Sequence, residues 1–209
     1  MNKTEQAVAV FNKYASSYER KYMNVDLYAD TFDFFCNKIT NRHAKVLEIA
    51  CGPGNVTRYL LDKRPDLDIL ATDLAPNMLQ IAKMNNPETR IMLLDCKKIK
   101  ELQEKFDAIM CGFCLPYLSK EEVIQLIADA YDILKPNGVL YISTMEDDYS
   151  KSGYQKSSNG DELYVHYHEA GYLVEAMEKK GFKVDLVERK DYHQPDGSIT
   201  KDLVIVSEK

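Results

Sequence analysis

Apolar runs of strand length alternate with amphipathic stretches of helix length through the middle of the chain. The stretches between the runs repeat apolar residues at three- and four-residue steps, which is typical of helices. Helices are predicted over 55–63, from Pro76, and over 119–134, where Ser119 and Glu122 form a capping-box pattern. Near-continuous apolar strands separated by helices predict a parallel sheet covered on both faces. The predicted strands are 45–50, 66–73, 90–94, 106–111 and 139–143.

The C-terminal third has a different pattern. Residues 146–162 are rich in Asp, Ser, Lys, Gly and Tyr, which predicts a long loop or cap rather than a core element. A helix is predicted over 166–180, followed by strands over 182–188 and 203–206. The sequence Pro195-Asp196-Gly197 is a turn signal, so we expect these two strands to be antiparallel.

The first apolar run ends in a carboxylate and then in closely spaced small residues. Glu48 lies at the end of the predicted strand, and Gly52 and Gly54 follow it. Glycines permit positive φ and carry no Cβ to block a ligand, and the helix that opens near Asn55 presents unpaired backbone N–H groups. A dinucleotide usually meets Gly-x-Gly-x-x-Gly, but Thr57 stands at the third position. Because a carboxylate suits a cation better than a phosphate, the turn favours a small, positively charged cofactor.

This segment resembles the first motif of the class I S-adenosylmethionine-dependent methyltransferases of small molecules, acidic-x-Gly-x-Gly-x-Gly, with Ala50 at the first glycine position. S-adenosylmethionine carries a sulfonium and an ammonium group and no phosphate, which agrees with the charge argument. The resemblance covers about 45–207. It implies an α/β fold with a Rossmann-like, doubly wound, seven-stranded, mostly parallel sheet and an antiparallel C-terminal strand. The expected single domain over 1–209 divides into N-terminal lid helices (1–43), a cofactor-binding core (44–145), an inserted cap (146–168) and a C-terminal helix with strands (169–209).

Two further carboxylates end the next two predicted strands. Asp73 follows the second strand, where an acid can accept hydrogen bonds from both ribose hydroxyls, although a helix cap is a fair alternative. By the resemblance, Asp95 meets the adenine amino group and the next backbone N–H, of Cys96, meets the ring. Ligands bind at the carboxyl ends of parallel strands, so three successive acids there point to one site. The cofactor-binding set that the resemblance implies is Tyr14, Tyr22, Glu48, Ala50, Cys51, Gly52, Gly54, Asn55, Asp73, Leu74, Met78, Asp95, Cys96, Cys111 and Phe113.

The N-terminal region adds an aromatic stripe. Helical patterns cover 4–22 and 26–40, and within the first of them aromatic residues recur at steps of three and four on one predicted face. Plain core packing explains such a stripe equally well. The segment around Tyr14 and Tyr18 is also similar to the N-terminal lid of many small-molecule methyltransferases, which would exclude water from the reaction. The stripe consists of Phe11, Tyr14, Tyr18 and Tyr22.

Acceptor-side residues are expected in two places. After the fourth strand, Phe113 and Tyr117 should face the transferred methyl group. The cap is dense in Tyr and His, whose apolar bodies and polar tips suit a pocket wall. His166 and His168 are candidate catalytic bases because histidine titrates near neutrality, and a purely structural role is the open alternative. The expected catalytic set is His168, His166 and Tyr117, and the expected substrate-binding set is Tyr18, Tyr117, Tyr149, Tyr154 and Tyr164.

Charge and composition narrow the partners. The 209 residues carry 27 basic and 33 acidic side chains, a net charge of -6, which argues against a nucleic-acid or anionic-membrane footprint and favours a small-molecule substrate. No apolar run approaches the roughly 20 residues of a membrane span, and no signal-peptide core is present at the N-terminus. Five scattered cysteines suit reduced thiols, so a cytoplasmic location is expected. The pair Cys111 and Cys114 lacks the partners of a zinc site, and no metal is expected.

The expected function is S-adenosylmethionine-dependent methyl transfer to an oxygen or nitrogen of a small acceptor, with S-adenosylhomocysteine as the product. Three alternatives remain open from the sequence. One is a quinone or lipid-precursor methyltransferase, which would need a deep apolar pocket beneath the cap. Another is a module that binds the cofactor without turnover, and the last is a nicotinamide oxidoreductase, which Thr57 and Glu48 disfavour. The sequence leaves the acceptor and the oligomeric state open.

Overall fold

The apolar runs form one seven-stranded sheet in the computed structural model, which describes residues 2–156, 160–194 and 196–209. The spatial order is β3-β2-β1-β4-β5-β9-β8. Strands β1 to β5 pair in parallel, and β9 runs antiparallel to both of its neighbours, β5 and β8. The strands of this sheet are β1 (Lys45–Ile49), β2 (Asp68–Asp73), β3 (Arg90–Leu93), β4 (Phe106–Cys111), β5 (Leu134–Glu146), β8 (Lys183–His193) and β9 (Ile199–Glu208).

Helices cover both faces of this sheet, as the expected doubly wound architecture requires. One core packs α6 and α7 against it, and a second core packs α3, α4 and α5 against the opposite face. Successive residues of a strand join different cores: Val46 belongs to the second core and Leu47 to the first, as the two-residue period of a strand dictates. The helices are α1 (Lys3–Lys13), α2 (Ala15–Tyr22), α3 (Ala29–Lys38), α4 (Asn55–Lys63), α5 (Pro76–Asn85), α6 (Lys120–Ile133) and α7 (Ala170–Lys180).

The predicted helix over 4–22 is two helices in the structure. The chain leaves helical geometry at Tyr14, with φ −107° and ψ 17°, so α1 and α2 meet there at a break. The prediction of one continuous aromatic face was therefore wrong. Phe11 still contacts Tyr18 edge to face, with ring centroids 5.8 Å apart, while the Tyr14 hydroxyl bonds to Asp161 instead.

The segment predicted as an irregular loop or cap contains regular structure. Strands β6 (Gly153–Lys156) and β7 (Glu162–Val165) form a separate two-stranded antiparallel sheet. The polar composition misled the prediction because this small sheet lies at the surface, so its strands need few apolar residues. The hairpin packs on α1: Lys3 lies 3.2 Å from the centre of the Tyr164 ring, and the Tyr14 hydroxyl donates a hydrogen bond to Asp161.

The final two strands are antiparallel, as predicted, and longer than predicted. Their register pairs Lys183 with Glu208 at one end and His193 with Ile199 at the other. The predicted turn between them begins at Pro195, which lies outside the described residues. No helix in the described ranges is both long enough and apolar enough to cross a bilayer.

Candidate functional site

Two adjoining cavities lie where the parallel strands end. The smaller cavity measures about 120 Å³ and is lined by Asp73 and Asp95, which end or follow β2 and β3. The larger cavity measures about 290 Å³ and is lined by Glu48, near the end of β1. The expected convergence of three strand-end acids is thus present. The residues that line both cavities are Tyr18, Ala50, Gly52, Gly112, Phe113 and Tyr117.

The turn between β1 and α4 forms the floor of both cavities. Its backbone is left-handed at Ala50, Gly52 and Gly54, with φ of 55°, 53° and 79°. This conformation at Ala50 gives the physical reason why the resembling motif has glycine there. A Cβ on Gly52 would meet nothing closer than the Tyr18 ring at 3.8 Å, so the glycine leaves the floor open to a ligand.

The carboxylate of Asp73 is fixed by backbone donors. Its Oδ2 accepts a hydrogen bond from the Gly52 N–H at 2.9 Å, and its Oδ1 accepts one from the Ala75 N–H at 2.8 Å. Burial raises the pKa of this carboxyl, and the backbone donors oppose that shift. Each oxygen keeps a second lone pair, so Asp73 can still accept from two hydroxyls in the smaller cavity. Asp95 is held in a similar way, since its Oδ1 accepts from the Lys97 N–H at 2.9 Å.

Glu48 is almost wholly buried, at 2% exposure, and accepts a hydrogen bond from the Thr57 hydroxyl at 2.5 Å. Thr57, at the third position of the glycine motif, therefore holds the acid in place. Burial raises the pKa of Glu48 to about 8, against the opposing effect of the bond from Thr57. A cation in the larger cavity would favour the ionised form, so binding of a cationic ligand should release a proton at neutral pH.

The raised pKa of Glu48 predicts a specific pH dependence of stability. The folded state binds this proton more tightly than the unfolded state, so Glu48 makes the protein less stable as the pH rises from about 4.5 to about 8. We expect Glu48→Gln to remove this contribution. The free energy of unfolding of the variant, relative to that of wild type, should therefore rise by up to about 1.4 kcal/mol per pH unit in that window. Urea unfolding at pH 5, 6, 7 and 8 measures the difference.

Glu104→Gln is the matched control. The Arg90 guanidinium lowers the pKa of Glu104 to about 2, so its carboxylate is ionised in both folded and unfolded states across pH 6 to 8. The difference in free energy of unfolding between Glu104→Gln and wild type should therefore stay constant from pH 6 to 8. An equally constant offset for Glu48→Gln would contradict the assignment of a buried proton to Glu48.

Most of the expected cofactor-binding residues lie on these cavities. Those on the smaller cavity alone are Asp73, Leu74, Met78, Asp95 and Cys96. Those on the larger cavity alone are Tyr22, Glu48, Cys51 and Asn55, while Ala50, Gly52 and Phe113 lie on both. Tyr18 and Tyr117, expected at the acceptor, also lie on both. Phe113 has φ of 53°, a strained conformation for a bulky side chain, and its N–H donates to the Ser143 hydroxyl at 3.0 Å.

Three of the expected cofactor-binding residues line neither cavity. The break between α1 and α2 turns Tyr14 toward Asp161, on the loop before β7. Gly54 lies beneath the turn, where an added Cβ would be 2.4 Å from the Asn86 amide nitrogen, so its role is in folding the turn. The side chain of Cys111 is fully buried in the core at the end of β4.

The expected acceptor residues of the cap also line neither cavity. Tyr149 is bonded to His166, and Tyr154 packs edge to face on Tyr164, with ring centroids 5.2 Å apart. His168 is completely buried: one ring nitrogen bonds to the Leu115 carbonyl oxygen at 2.8 Å and the other to the Tyr172 hydroxyl. Burial lowers the pKa of His168 to about 4, which favours the neutral, structural form. The geometry therefore supports the structural alternative for both histidines.

Much of the remaining lining of the larger cavity comes from residues that the sequence analysis did not assign to the site. One wall is residues 21–28, from the last residues of α2 to the start of α3, and the other is the β8–β9 hairpin. The sequence contains one indication of this second wall, because Asp202 is a polar residue directly before the apolar run of β9. Because β9 is antiparallel, its N-terminal residues lie at the same sheet edge as the carboxyl ends of the parallel strands. The unexpected polar lining residues are Lys21, Asn24, Tyr28, Ser143, Tyr192, Gln194, Thr200 and Asp202.

Metal chemistry has no ligand set in the part of the chain that the structure describes, where no group of three or more His, Cys, Asp or Glu could hold an ion. All five cysteines are free thiols, and four of them are buried.

Comparison with known proteins agrees with this site. A family model described as a methyltransferase domain matches residues 46–138, which hold the glycine turn, Asp73 and Asp95. A malonyl-[acyl-carrier protein] O-methyltransferase of Priestia megaterium is 31% identical over 144 residues, covering 64% of this chain and 49% of the relative. A trans-aconitate 2-methyltransferase of Variovorax paradoxus is 32% identical over 99 residues, covering 47% and 38%. The chain spans about half the length of the first of these relatives.

The fold also matches a solved methyltransferase structure. The 1,6-didemethyltoxoflavin-N1-methyltransferase of Burkholderia thailandensis, solved with 1,6-didemethyltoxoflavin and S-adenosylhomocysteine bound, superposes with a TM-score of 0.70. It covers 100% of this chain and 91% of that chain at 20% identity, a likeness that concerns the fold alone. The glycine turn, the strand-end acids, the sheet order and these matches lead to one conclusion. Residues 46–138 of this chain resemble a methyltransferase domain, and the whole chain has the fold of the class I methyltransferases.

Proposed function

We propose that this chain transfers a methyl group from S-adenosylmethionine to an oxygen or nitrogen of a small molecule. The observation that carries the proposal is the placement of Glu48, Asp73 and Asp95 around two adjoining cavities at the ends of neighbouring parallel strands. An O-methyltransferase and an N1-methyltransferase among the similar proteins support both acceptor atoms.

The lining of each cavity fits one half of the cofactor. Asp73 offers acceptors for the ribose hydroxyls, and Asp95 with the backbone of Cys96 offers partners for the adenine edge. Glu48, on the larger cavity, offers negative charge for the cationic methionine half. When bound, S-adenosylmethionine supplies an electrophilic methyl group on a sulfonium.

The shared aromatic wall would then separate the cofactor from water. Tyr18 and Tyr117 are part of one cluster with Phe11, whose ring lies 5.8 Å from Tyr18 and 4.9 Å from Tyr117. Burial raises the pKa of both tyrosines, which keeps their hydroxyls protonated. In methyl transfer, orientation of the acceptor and exclusion of water supply much of the rate, and these side chains are placed to provide both.

We further propose that residues 1–43 act as a lid within a single domain over 1–209. Thr4, Ala7, Val8 and Phe11 of α1 line the smaller cavity, so this helix covers the expected nucleoside position. The cytoplasm is the compartment we propose, because free thiols persist under its reducing conditions.

The two alternatives that keep the fold make different demands. A quinone or lipid-precursor acceptor would need a deep apolar pocket beneath the cap, whereas the larger cavity lies between residues 21–28 and the β8–β9 hairpin and carries several polar groups. A module without turnover would bind the cofactor equally well, so binding alone does not separate it from an enzyme.

Titration calorimetry tests the binding part of the proposal. We expect micromolar binding of S-adenosylmethionine and S-adenosylhomocysteine and no binding of NAD. The site offers carboxylates at the place where the pyrophosphate of a dinucleotide needs hydrogen-bond donors. Tighter binding of NAD would overturn the proposal. An assay for S-adenosylhomocysteine release across single-ring phenols and amines then distinguishes an enzyme from a binding module.

A further inference from the structure

The larger cavity contains a second buried acid, far from the glycine turn in sequence. Asp202 is 3% exposed and pairs with Met145 across the β5–β9 ladder. It lines the same cavity as Glu48, on the wall formed by the β8–β9 hairpin. A buried carboxylate costs free energy unless something compensates its charge, so its partners are informative.

Only half of this carboxylate is satisfied within the described residues. Asp202 Oδ2 accepts a hydrogen bond from the Tyr28 hydroxyl at 2.6 Å, while Oδ1 accepts none from any described residue. Burial raises the pKa of Asp202 to about 6, and the bond from Tyr28 opposes that shift. At neutral pH the group is therefore mostly ionised, with one oxygen free to accept a hydrogen bond in the cavity.

No cation neutralises Asp202 in the part of the chain that the structure describes. Lys190, its neighbour on β8, is paired with Asp30 and Glu188. Lys21 is exposed at the rim. The titratable groups around Asp202 and on the same cavity are Tyr18, Lys21, Tyr22, Tyr28, Glu48, Cys51, Tyr117, Tyr141, Lys190 and Tyr192.

We propose that Asp202 binds the O–H or N–H group of the methyl acceptor and removes its proton, and that the acceptor is a phenol or an amine with an apolar body rather than a carboxylate. The apolar body would contact Val25, Phe32 and Pro116 on the same cavity. A carboxylate acceptor would instead face two acids. This inference rests on the proposed methyl transfer and names its substrate class.

The step balances without another reactant. The acceptor oxygen or nitrogen forms a bond to the methyl carbon while the carbon–sulfur bond breaks and its electron pair stays on sulfur. The acceptor proton passes to Asp202 and then to water, which leaves a neutral thioether, the methylated acceptor and the ionised acid. Positioned bases of this kind typically contribute roughly 10²- to 10⁴-fold to the rate.

The first test uses single-ring probes of opposite charge on protein saturated with S-adenosylhomocysteine. We expect calorimetry to show benzylamine binding at least about 10-fold more tightly than benzoate, and Asp202→Asn to abolish the preference. Asp191→Asn, an exposed carboxylate on the same hairpin paired with Lys201, is the matched control and should keep it. Equal binding of both probes, binding of neither, or a preference for benzoate would overturn the inference.

Turnover gives the second test. With phenol as acceptor, we expect Asp202→Asn to lower kcat roughly 10²-fold or more while affinity for S-adenosylhomocysteine stays within about twofold. Unchanged kcat, or turnover of benzoate in preference to phenol, would overturn the inference. If wild type fails to bind S-adenosylhomocysteine, the proposed function fails first, so the two failures are distinguishable.

Tyr28→Phe tests the proposed role of Asp202 even if Asp202→Asn fails to fold. Wild-type kcat/KM for phenol should rise with pH through an apparent pKa near 6 as Asp202 ionises. Loss of the Tyr28 hydroxyl removes a donor that favours the ionised acid, so this limb should move to higher pH. If Tyr28 had only a structural role, Tyr28→Phe would change the maximal kcat/KM and leave its apparent pKa unchanged. That result would overturn the inference.

Discussion

Replacement of Asp73 by alanine is expected to weaken binding of S-adenosylhomocysteine about 100-fold or more. The carboxylate is fixed by the Gly52 and Ala75 N–H groups and faces the smaller cavity with one lone pair free on each oxygen. Two hydrogen bonds from ribose hydroxyls to a charged acceptor are worth about 1.5 to 3 kcal/mol each, and about 1.4 kcal/mol corresponds to tenfold in affinity. Titration calorimetry on the folded variant measures the change.

Asp68→Ala is the matched control for this experiment. Asp68 begins the same strand at the opposite end, is 43% exposed and pairs with Arg90, so its removal should leave the affinity unchanged. Asp73→Asn should fall between wild type and Asp73→Ala, because the amide keeps one oxygen acceptor. If Asp73→Ala binds within about threefold of wild type while retaining its melting transition, the smaller cavity is not the ribose site.

The part of the candidate site that we propose binds the nucleoside could be predicted from sequence because its signals are local. Each parallel strand reads as an apolar run, and the residue that ends it must lie at one edge of the sheet. Glu48, Asp73 and Asp95 follow that rule, and the bounds of α4 and β4 agree with the predicted ones. No long-range contact had to be known for these assignments.

The wall that we propose binds the acceptor could not be predicted in this way, because long-range strand pairing places its residues. Asp202 reaches the cavity only through the register of β9 with β5 and β8, and in an antiparallel strand the rule about strand ends is reversed. The dense Tyr and His of the cap suggested a pocket wall, but their partners are one another, α1, Tyr172 of α7 and the Leu115 carbonyl oxygen. Residue type alone did not reveal which way the hairpin faces.

Gly54→Ala is the substitution expected to cost the most stability, about 3 kcal/mol or more. The residue caps α4 with φ of 79°, a conformation that strains any side chain. An added Cβ would also lie 2.4 Å from the Asn86 side-chain nitrogen and 3.2 Å from the Ala82 backbone. Asn86 is held in place, because its amide donates to the Gly54 carbonyl oxygen at 2.9 Å and it is 2% exposed.

The stability lost in Gly54→Ala has two expected sources, backbone strain and the steric clash with Asn86. A double-mutant cycle measured by urea unfolding separates them. Asn86→Ala removes the clashing side chain but not the left-handed backbone, so the double variant should lose less than the sum of the two single variants, by about 1 kcal/mol or more. Gly171→Ala is the matched control: nothing lies within 4 Å of its added Cβ and it is in α7, so it should be neutral or stabilising. Strict additivity at Gly54 and Asn86 would mean that the turn can shift to accept a side chain. The floor of both cavities would then be less rigid than its hydrogen bonds indicate.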